Sequence, residues 1–256
     1  MILSRRVSLG GVQLDELDEH IVIRSINPGV PNEKLSTTDR MGGVGQRLTT
    51  QHWNSLDVNV TYAIDLPRKK LKERKEIFDL VNSWALKGGW LKVNYIRARR
   101  LYIDKVIVPG SGDLFNWTSE YTITFRAYNV PFWTDTTAES VKKKITKGDM
   151  KINVPGQVQT VLNATLENVS GKTISDISIK VGKNTLNFNK INLGGSAKLT
   201  ISHGNDGILR AKVGSTSVYN KITGGEDLYV MPGENTVTIE SKRALQVTLE
   251  AVGRYV

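Results

Sequence analysis

The sequence predicts a mainly β protein of two domains, the first of which contains one amphipathic helix. Short runs of alternating apolar and polar residues, bounded by Gly, Pro and Asn, recur along the whole chain. Only residues 68–87 have the 3.6-residue apolar period of an amphipathic helix. The strand-like run Tyr121–Tyr128 must stop before Pro131, and after Phe132 and Trp133 the composition becomes polar and Lys-rich.

The change in composition after Trp133 predicts a domain boundary. A chain of 256 residues is long enough to bury the cores of two modest domains. The first domain is predicted at residues 1–133 and the second at residues 134–256. Pro131, Phe132 and Trp133 are the candidate residues of the inter-domain joint, because two large apolar rings with no periodic element after them need a surface to pack against.

The composition excludes several kinds of site. The chain has no Cys, so it can form no disulfide, no thiolate metal site and no Cys nucleophile. The first residues lack the apolar run and the cleavage site of a signal peptide, and no apolar run has the length of a transmembrane helix. We therefore expect a soluble protein that is made in the cytoplasm and does not insert into a membrane.

The formal net charge of +10 suggests nucleic-acid binding, but its distribution argues against this function. Residues 1–133 contain 19 Lys and Arg against 14 Asp and Glu, and residues 134–256 contain 16 against 11, so each half carries +5. No recognition helix, zinc-finger spacing or aromatic platform for single strands accompanies the basic clusters. These clusters are interpreted as solvated faces or as charge-complementary surfaces in an assembly.

The first domain is predicted to be an α+β unit in which the helix packs on a sheet. The helix is expected to bury an apolar face that includes Leu71, Phe78 and Trp84, and to end at Gly88-Gly89. Alternation predicts a long strand over Ser55–Leu66. Shorter strands are expected before residue 27 and at Trp90–Tyr95, Arg100–Val108 and Glu120–Tyr128.

Residues 27–50 have almost no periodicity and are rich in Gly and Pro, which predicts a long loop or an extended arm. Loops of this length are frequently functional. The run Gly42-Gly-Val-Gly45 fits neither the P-loop nor the dinucleotide-binding spacing, so a phosphate site is not favoured. A contact with a neighbouring subunit is the preferred interpretation. The candidate residues of this subunit-interface loop are Arg40, Gly42, Gly43, Gly45 and Arg47.

The second domain is predicted to be an antiparallel β-sandwich, because short strand-like segments alternate with Gly, Asn and Asp turn signals. Residues 134–151, which are polar and Lys-rich, are expected to form a linker with one strand or turn. The strand-like segments beyond the linker are Val158–Leu166, Ile174–Val181, Thr185–Phe188, Lys198–Ser202, Ile208–Val213, Asp227–Val230, Thr236–Ile239 and Ala244–Val252.

No arrangement of residues in the sequence predicts an enzyme. His20, His52 and His203 lack metal-ligand spacing from one another, and no Ser lies in a nucleophile-elbow motif. The acidic residues of the second domain are expected in turns and on solvent faces rather than in the carboxylate pair of a hydrolase. They include Asp176, Asp206, Glu226 and Asp227. We therefore predict no catalytic residue, no bound metal and no cofactor.

The order of these features resembles that of the distal tail (Dit) proteins of phages. The features are the Gly-rich stretch, the long strand Leu56–Leu66, a basic helix that ends in Val81-Asn-Ser-Trp84, and the run Phe125-Arg-Ala-Tyr-Asn-Val-Pro-Phe-Trp133. In the second half, Leu228-Tyr-Val-Met-Pro-Gly-Glu-Asn235, followed by the strand-like Thr236–Ile239, is similar to the ending of these proteins. The resemblance covers nearly the whole chain through the order and length of its elements.

The resemblance implies a structural protein without catalytic residues. In this family the N-terminal domain forms a ring, expected to be hexameric, at the distal end of a siphophage tail, and a β-sandwich of galectin-like fold projects from it. The ring joins the tail tube protein to tail-tip or tail-associated lysin-type proteins and to receptor-binding proteins, and DNA passes through its channel. The implied location is the virion tail tip, after assembly in the host cytoplasm.

A carbohydrate-binding module for attachment to the host surface is the alternative function, because β-sandwiches often bind sugars. Sugar sites usually present exposed aromatic rings as platforms. The sequence beyond residue 133 offers only Phe188, Tyr219, Tyr229 and Tyr255, and no Trp.

Overall fold

A computed structural model describes residues 5–31, 33–39, 46–67, 69–112, 120–225 and 227–256. The chain divides into two compact units, Met1–Trp133 and Thr134–Val256. Buried apolar side chains are found in both units, so each has its own hydrophobic core.

The described elements of the first unit are strands and one α-helix, with a short 3-10 turn at Leu14–Glu16. They are β1 (Val7–Leu9), β2 (Val12–Gln13), β3 (Ile21–Pro28), β4 (Glu33–Asp39), β5 (Gln46–Trp53), β6 (Leu56–Ile64), α1 (Leu71–Ala85), β7 (Gly89–Val93), β8 (Arg99–Ile103), β9 (Lys105–Ile107) and β10 (Glu120–Ala127).

A four-stranded antiparallel sheet with the order β3-β6-β10-β9 carries the helix of the first unit. The apolar side chains of β6 and β10 lie on one face of this sheet, and α1 packs against them. The rings of Phe78 and Tyr121 lie 5.2 Å apart, and those of Trp84 and Phe125 lie 5.9 Å apart. A further antiparallel group of strands has the order β2-β1-β7-β8. The predicted α+β arrangement is confirmed.

The helix buries the predicted face with one exception at its beginning. Leu71, its first residue, is 43% exposed, whereas Arg74, one turn further, is buried. The guanidinium group of Arg74 donates hydrogen bonds to the carbonyl oxygens of Ile64 and Leu66, at 2.9 and 2.8 Å. Arg74 therefore packs against the end of β6, whereas the apolar pattern had placed Leu71, and not Arg74, on the buried face. The predicted burial of Trp84 is confirmed.

No helix in the described part of the chain is long and apolar enough to span a bilayer.

The single strand predicted at Arg100–Val108 is in fact two strands, β8 and β9, which belong to different sheets. Asp104 lies between them. Its carboxylate accepts hydrogen bonds from the backbone N–H groups of Tyr128 and Asn129, at 2.7 and 3.0 Å. A short acidic side chain that binds backbone N–H groups favours a change of chain direction over a continued strand.

Residues 27–50 were predicted to form a long loop or an extended arm, and the prediction of a loop is wrong for the described residues. β3 continues to Pro28, and β4 and β5 form an antiparallel hairpin with partners from Glu33↔Trp53 to Asp39↔Gln46. In the described residues, these two strands pair only with each other. A two-stranded hairpin is held by backbone hydrogen bonds and does not require the alternation that a half-buried strand shows, so the sequence pattern did not reveal it.

The described elements of the second unit are strands and a short 3-10 turn at Tyr219–Lys221. The strands are β11 (Trp133–Asp135), which begins at the last residue of the first unit, β12 (Glu139–Val154), β13 (Thr160–Asn168), β14 (Ile177–Val181), β15 (Asn184–Phe188), β16 (Lys198–His203), β17 (Leu209–Val213), β18 (Thr216–Ser217), β19 (Tyr229–Val230), β20 (Gly233–Ala251) and β21 (Arg254–Tyr255).

The 19-residue strand β20 organises the second unit. β12 pairs along one side of it, and β14 and then β13 pair along the other, all antiparallel. The sheet continues through β15 at one end and through β16, β17 and β18 at the other. It curls around a core of Ile, Leu, Val and Ala side chains contributed by all of its long strands. The predicted antiparallel β-sandwich is confirmed.

Residues 134–151 are not a linker, because most of them belong to the 16-residue strand β12. Ile145, Met150 and Ile152 point into the core, while Lys side chains occupy exposed positions along the strand. The exposed lysines outnumber the buried residues, so the composition is polar although the strand completes the sandwich.

The two strands predicted at Thr236–Ile239 and Ala244–Val252 are one strand, β20. The partners of β12 skip residues 241–244 of β20, where the paired strands contain a bulge at Ile145/Lys147. Lys242 and Arg243 are exposed at this bulge and interrupt the apolar alternation. A bulge therefore divides the pattern in the sequence without ending the strand.

Candidate functional site

An open cavity of about 610 Å³ lies at the base of the β4–β5 hairpin. It is formed where β5 ends and β6 begins, and the ends of β3 and β10 complete it. We call it the hairpin-base pocket. Its lining residues are Asn27, Gly29, Val30, Trp53, Asn54, Ser55, Asp57, Asn59 and Tyr128.

The polar wall of the hairpin-base pocket is held by an ion pair between neighbouring strands. Arg126 of β10 and Asp57 of β6 are register partners. The guanidinium donates through Nε and Nη2 to the two carboxylate oxygens, at 2.6 Å each, and through Nη1 to the Tyr128 hydroxyl at 3.1 Å. The hydrogen bonds that Arg126 donates to Asp57 and Tyr128 raise the pKa of Arg126. Such two-point contacts fix the plane of the guanidinium group.

Large side chains are exposed around the pocket. Trp53 is 36% exposed, Tyr128 48% and Val30 62%. The Trp53 ring is held edge-to-face against Phe132, with ring centroids 5.4 Å apart. Trp, Tyr and Arg are the residue types that contribute most binding energy at the centres of protein interfaces. The hairpin-base pocket thus has the composition of a protein contact surface.

Three amide side chains, those of Asn27, Asn54 and Asn59, give the pocket hydrogen-bonding groups of both kinds. Asn27 and Asn59 are register partners on β3 and β6, and the amide oxygen of Asn59 accepts a hydrogen bond from Thr124 at 2.7 Å. Amide groups match the donors and acceptors of a protein backbone, so the lining suits a peptide segment.

Gly29 allows β3 and β6 to approach closely at the pocket. Its N–H donates to the backbone oxygen of Asp57 at 2.7 Å, and a Cβ on Gly29 would lie 2.5 Å from that oxygen.

We expect Gly29→Ala to lower the free energy of unfolding of the first unit by about 1–3 kcal/mol, since the strands must separate. Urea denaturation followed by circular dichroism measures this change. Gly112→Ala, where a Cβ meets no atom within 4 Å, is the control, and equal stability of the two variants would contradict the prediction.

The predicted subunit-interface residues Arg40, Gly42, Gly43 and Gly45 lie outside the described residues, and Arg47 belongs to β5, where its backbone partner is Thr38. Their role in a subunit contact stays a prediction.

The predicted joint residues lie at the end of the first unit. Phe132 and Trp133 are buried, with 7% and 4% exposure. Phe132 packs on Trp53, so the structure brings one joint residue to the wall of the hairpin-base pocket. The function of Pro131, Phe132 and Trp133 as a joint between domains stays a prediction.

Sequence reasoning did not find the hairpin-base pocket, although part of the signal was present. Alternation placed Asp57 and Asn59 on the polar face of one strand and Arg126 and Tyr128 on the polar face of another. The register of β6 against β10 makes Asp57 and Arg126 partners. Nothing in the spacing of a single sequence gives this register.

Asp206 occupies a turn, as predicted. Arg210 donates to its carboxylate oxygens at 2.9 and 2.5 Å, and the backbone N–H of Ile208 donates at 3.1 Å. The hydrogen bonds from Arg210 lower the pKa of Asp206 to about 2. In the described part of the chain, no three His, Asp or Glu side chains are grouped as a metal site would require.

The imidazole of His203 is a buried titratable group of the second unit. Its side chain is 2% exposed, with Nδ1 3.2 Å from Asn163 Oδ1 and Nε2 3.5 Å from Asp227 Oδ1. Burial lowers the pKa of His203, and Arg254 adds to this effect, while Asp227 opposes it. Neutral imidazole is therefore favoured in the folded unit.

This burial makes the stability of the second unit depend on pH. Because the folded state binds the proton more weakly than the unfolded state, the contribution is complete above the unfolded pKa of about 6.5 and is lost as pH falls below it. The loss is up to about 1.4 kcal/mol for each unit by which the pKa is lowered. We expect the melting temperature to fall less between pH 7.5 and 5 in His203→Gln than in the wild type. His20→Gln, at a half-buried His of the first unit, is the control for the loss of an imidazole outside the second unit. A pH dependence that His203→Gln leaves unchanged would show that other groups cause it.

The aromatic residues of the second unit do not form a wide sugar platform. Phe188 is fully buried. The hydroxyl groups of Tyr229 and Tyr255 donate to Asp227 and Asp135, at 3.3 and 3.0 Å. Among the described residues of this unit, Tyr219 is an aromatic residue whose side chain is well exposed, at 57%.

No protein-family model matches the sequence, and no curated protein matches it. Among solved structures, this chain is similar to the crystal structure of the Dit protein (gp 19.1) of phage SPP1, which is described as a hub of the adsorption apparatus in phages that infect Gram-positive bacteria. The match has a TM-score of 0.67 and 10% sequence identity, and it covers 98% of this chain and 99% of that chain. The phage P2 baseplate in its activated conformation gives TM-scores of 0.49 with Ca and 0.44 with Sr, each at 9% identity over 97% of this chain and over 98% and 97% of the matched chains. The resemblance to Dit proteins is confirmed at the level of the fold: this chain has the fold of SPP1 Dit over almost its whole length.

Proposed function

We propose that this protein is a structural component of a phage tail, a distal tail protein that forms a ring at the tail tip. The observation that carries the proposal is the fold, shared with SPP1 Dit over 98% of this chain at a TM-score of 0.67. One fold can serve several functions. The proposal therefore also uses the hairpin-base pocket, whose composition is that of a protein contact surface.

In the proposed ring, the first unit makes the contacts between copies. A ring needs a head-to-tail contact, in which two different surfaces of each copy meet. The β4–β5 hairpin has no strand partner outside itself in the described residues, and exposed Trp53 and Tyr128 lie at its base. We assign the hairpin and the hairpin-base pocket to this contact.

The ring is proposed to contain six copies and to leave a channel through which DNA passes. It would join the tail tube protein to a tail-tip or tail-associated lysin-type protein, and the second unit would hold receptor-binding proteins. The proposed location is the tail tip of the virion, after assembly in the host cytoplasm. The protein acts mechanically in this scheme and carries out no catalysis.

The oligomeric state tests the proposal directly. Light scattering on the purified chain should give six times its mass of 28.4 kDa, and negative-stain images should show rings. A strict monomer at every workable concentration would contradict the proposal.

A shortened hairpin tests which surface makes the contact. Replacing residues 35–51 by Asn-Gly joins Lys34 to His52, which are cross-strand partners, through a two-residue turn that suits a hairpin. We expect this variant to keep the circular dichroism of the wild type and to lose the ring. Trp53→Ala and Tyr128→Ala should weaken assembly in the same way, and Tyr219→Ala in the second unit should not. A shortened variant that still forms rings would exclude the hairpin from the contact.

A further inference from the structure

One edge of the sandwich in the second unit is formed by β12, a strand of unusual length whose outer side has no strand partner in the described part of the chain. β12 has 16 residues, and β20 is the one strand that pairs with it in the described part of the chain. Alternate residues of an edge strand direct their N–H and C=O groups away from the sheet, where another strand can bind them. Proteins commonly limit such edges by short strands, prolines or bulges. β12 is long, contains no Pro, and has one bulge at Ile145/Lys147.

The bulge divides β12 into two regular stretches that differ in charge compensation. In the second stretch, Lys147 pairs with Glu240 at 3.1 Å and Lys151 pairs with Glu234 at 2.9 Å. In the first stretch, the ammonium group of Lys143 donates to the backbone oxygen of Asp149 at 3.1 Å.

Lys142 and Lys144 are different. Both are exposed, and neither has an ion-pair or hydrogen-bond partner among the described residues. They are two residues apart on one strand, so their side chains point to the same side of the sheet. The first stretch, Glu139–Ile145, thus combines backbone groups without a strand partner on its outer side with two lysines that have no ion-pair partner among the described residues.

This combination selects the partner. Two copies of β12 that pair through the lysine run would place like charges opposite each other, which destabilises a strand pair. A strand with acidic residues at alternate positions would instead place carboxylates opposite Lys142 and Lys144 and would satisfy the backbone groups.

We propose that the Glu139–Ile145 edge of β12 is a docking site for an extended acidic segment of another protein, which adds a strand to the sandwich. Such strand addition takes its affinity from backbone hydrogen bonds and its specificity from alternate side chains. The proposal concerns the second unit and does not require a ring, so the oligomeric state and this site can be tested separately.

The test uses the full chain and a fluorescent seven-residue peptide in which Glu and Val alternate. Anisotropy should show saturable binding, and hydrogen exchange should show protection of amides within residues 139–145. The double variant Lys142→Glu/Lys144→Glu should bind this peptide at least tenfold more weakly and should gain affinity for a peptide in which Lys replaces Glu. The control Lys180→Glu/Lys183→Glu, which changes the net charge equally at exposed sites on and next to β14, should bind as the wild type does.

Four results would overturn the proposal. The first is the absence of binding at millimolar peptide. The second is equal binding of a peptide with the same composition but consecutive Glu residues, and the third is an equal loss of affinity in both double variants, since each of these would indicate attraction to surface charge alone. The fourth is binding that protects amides elsewhere and leaves residues 139–145 unprotected.

Discussion

Replacing Trp84 by Ala is expected to lower the free energy of unfolding of the first unit by about 3–5 kcal/mol, the usual cost of removing a large buried ring. Trp84 is 3% exposed and packs edge-to-face on Phe125 of β10, with ring centroids 5.9 Å apart. Its indole N–H also donates to the backbone oxygen of Val12 at 3.2 Å. The ring therefore connects α1 to β10 and to β2, and its loss leaves a cavity between helix and sheet.

Two further variants separate packing from the hydrogen bond. Trp84→Phe keeps a ring against Phe125 and removes the indole donor, so we expect a loss of about 1–2 kcal/mol. Leu80→Ala, at a helix position that is 43% exposed, should cost less than about 1 kcal/mol. Urea denaturation followed by the circular dichroism signal of the helix measures all three variants. If Trp84→Ala and Leu80→Ala were equally stable, Trp84 would not be a core residue in solution.

The helix shows what periodicity can predict and where it fails. The spacing of Phe78, Val81 and Trp84 gave the buried face correctly, because all three side chains are buried and the rings of Phe78 and Trp84 pack on β10. The same spacing placed Leu71 in the core and left Arg74 unassigned. A buried Arg depends on which carbonyl groups lie opposite it, and that information is in the tertiary structure.

Two long strands in the second half were not predicted from the sequence, because exposed charged residues interrupt their apolar alternation. In β12 the buried Met150, Ile152 and Val154 alternate with polar residues only after the bulge, and the lysine run before the bulge has the composition of a linker. In β20 the bulge at residues 241–244 interrupts the alternation. An edge strand and a bulge are both formed by backbone pairing, to which apolar patterns are insensitive.

The candidate site could be predicted only in part. Long polar stretches between strands are often functional, and this rule pointed to residues 27–50. The hairpin within that stretch, and the pocket at its base, depend on pairs such as Asn27 with Asn59 and Asp57 with Arg126. Each of these pairs joins residues more than 30 positions apart, so no local pattern contains them.

Arg74 gives the second large expected effect, because it is a buried cation whose hydrogen bonds fix the turn between β6 and α1. It is 6% exposed and donates to the backbone oxygens of Ile64 and Leu66, and also to the Tyr121 hydroxyl at 3.1 Å. Arg74→Ala leaves these acceptors without their donor and removes the packing of the side chain. Since hydrogen bonds to a charged donor contribute about 1.5–3 kcal/mol each, we expect the loss of three of them to cost at least about 4 kcal/mol.

A series at position 74 identifies the cause of that loss. Arg74→Met restores most of the apolar volume but no donor, and we expect it to recover less than half of the lost stability. Arg74→Lys keeps a charged donor, but a single ammonium group cannot bind all the acceptors that the planar guanidinium group binds. We therefore expect its free energy of unfolding to lie between that of Arg74→Met and that of the wild type. Lys75→Ala, which removes an exposed pair with Asp79, should change stability by no more than about 0.5 kcal/mol. If Arg74→Met were as stable as the wild type, packing alone would stabilise the turn. If Lys75→Ala lowered the free energy of unfolding as much as Arg74→Ala, the effect would come from the charge of the helix and not from the buried hydrogen bonds.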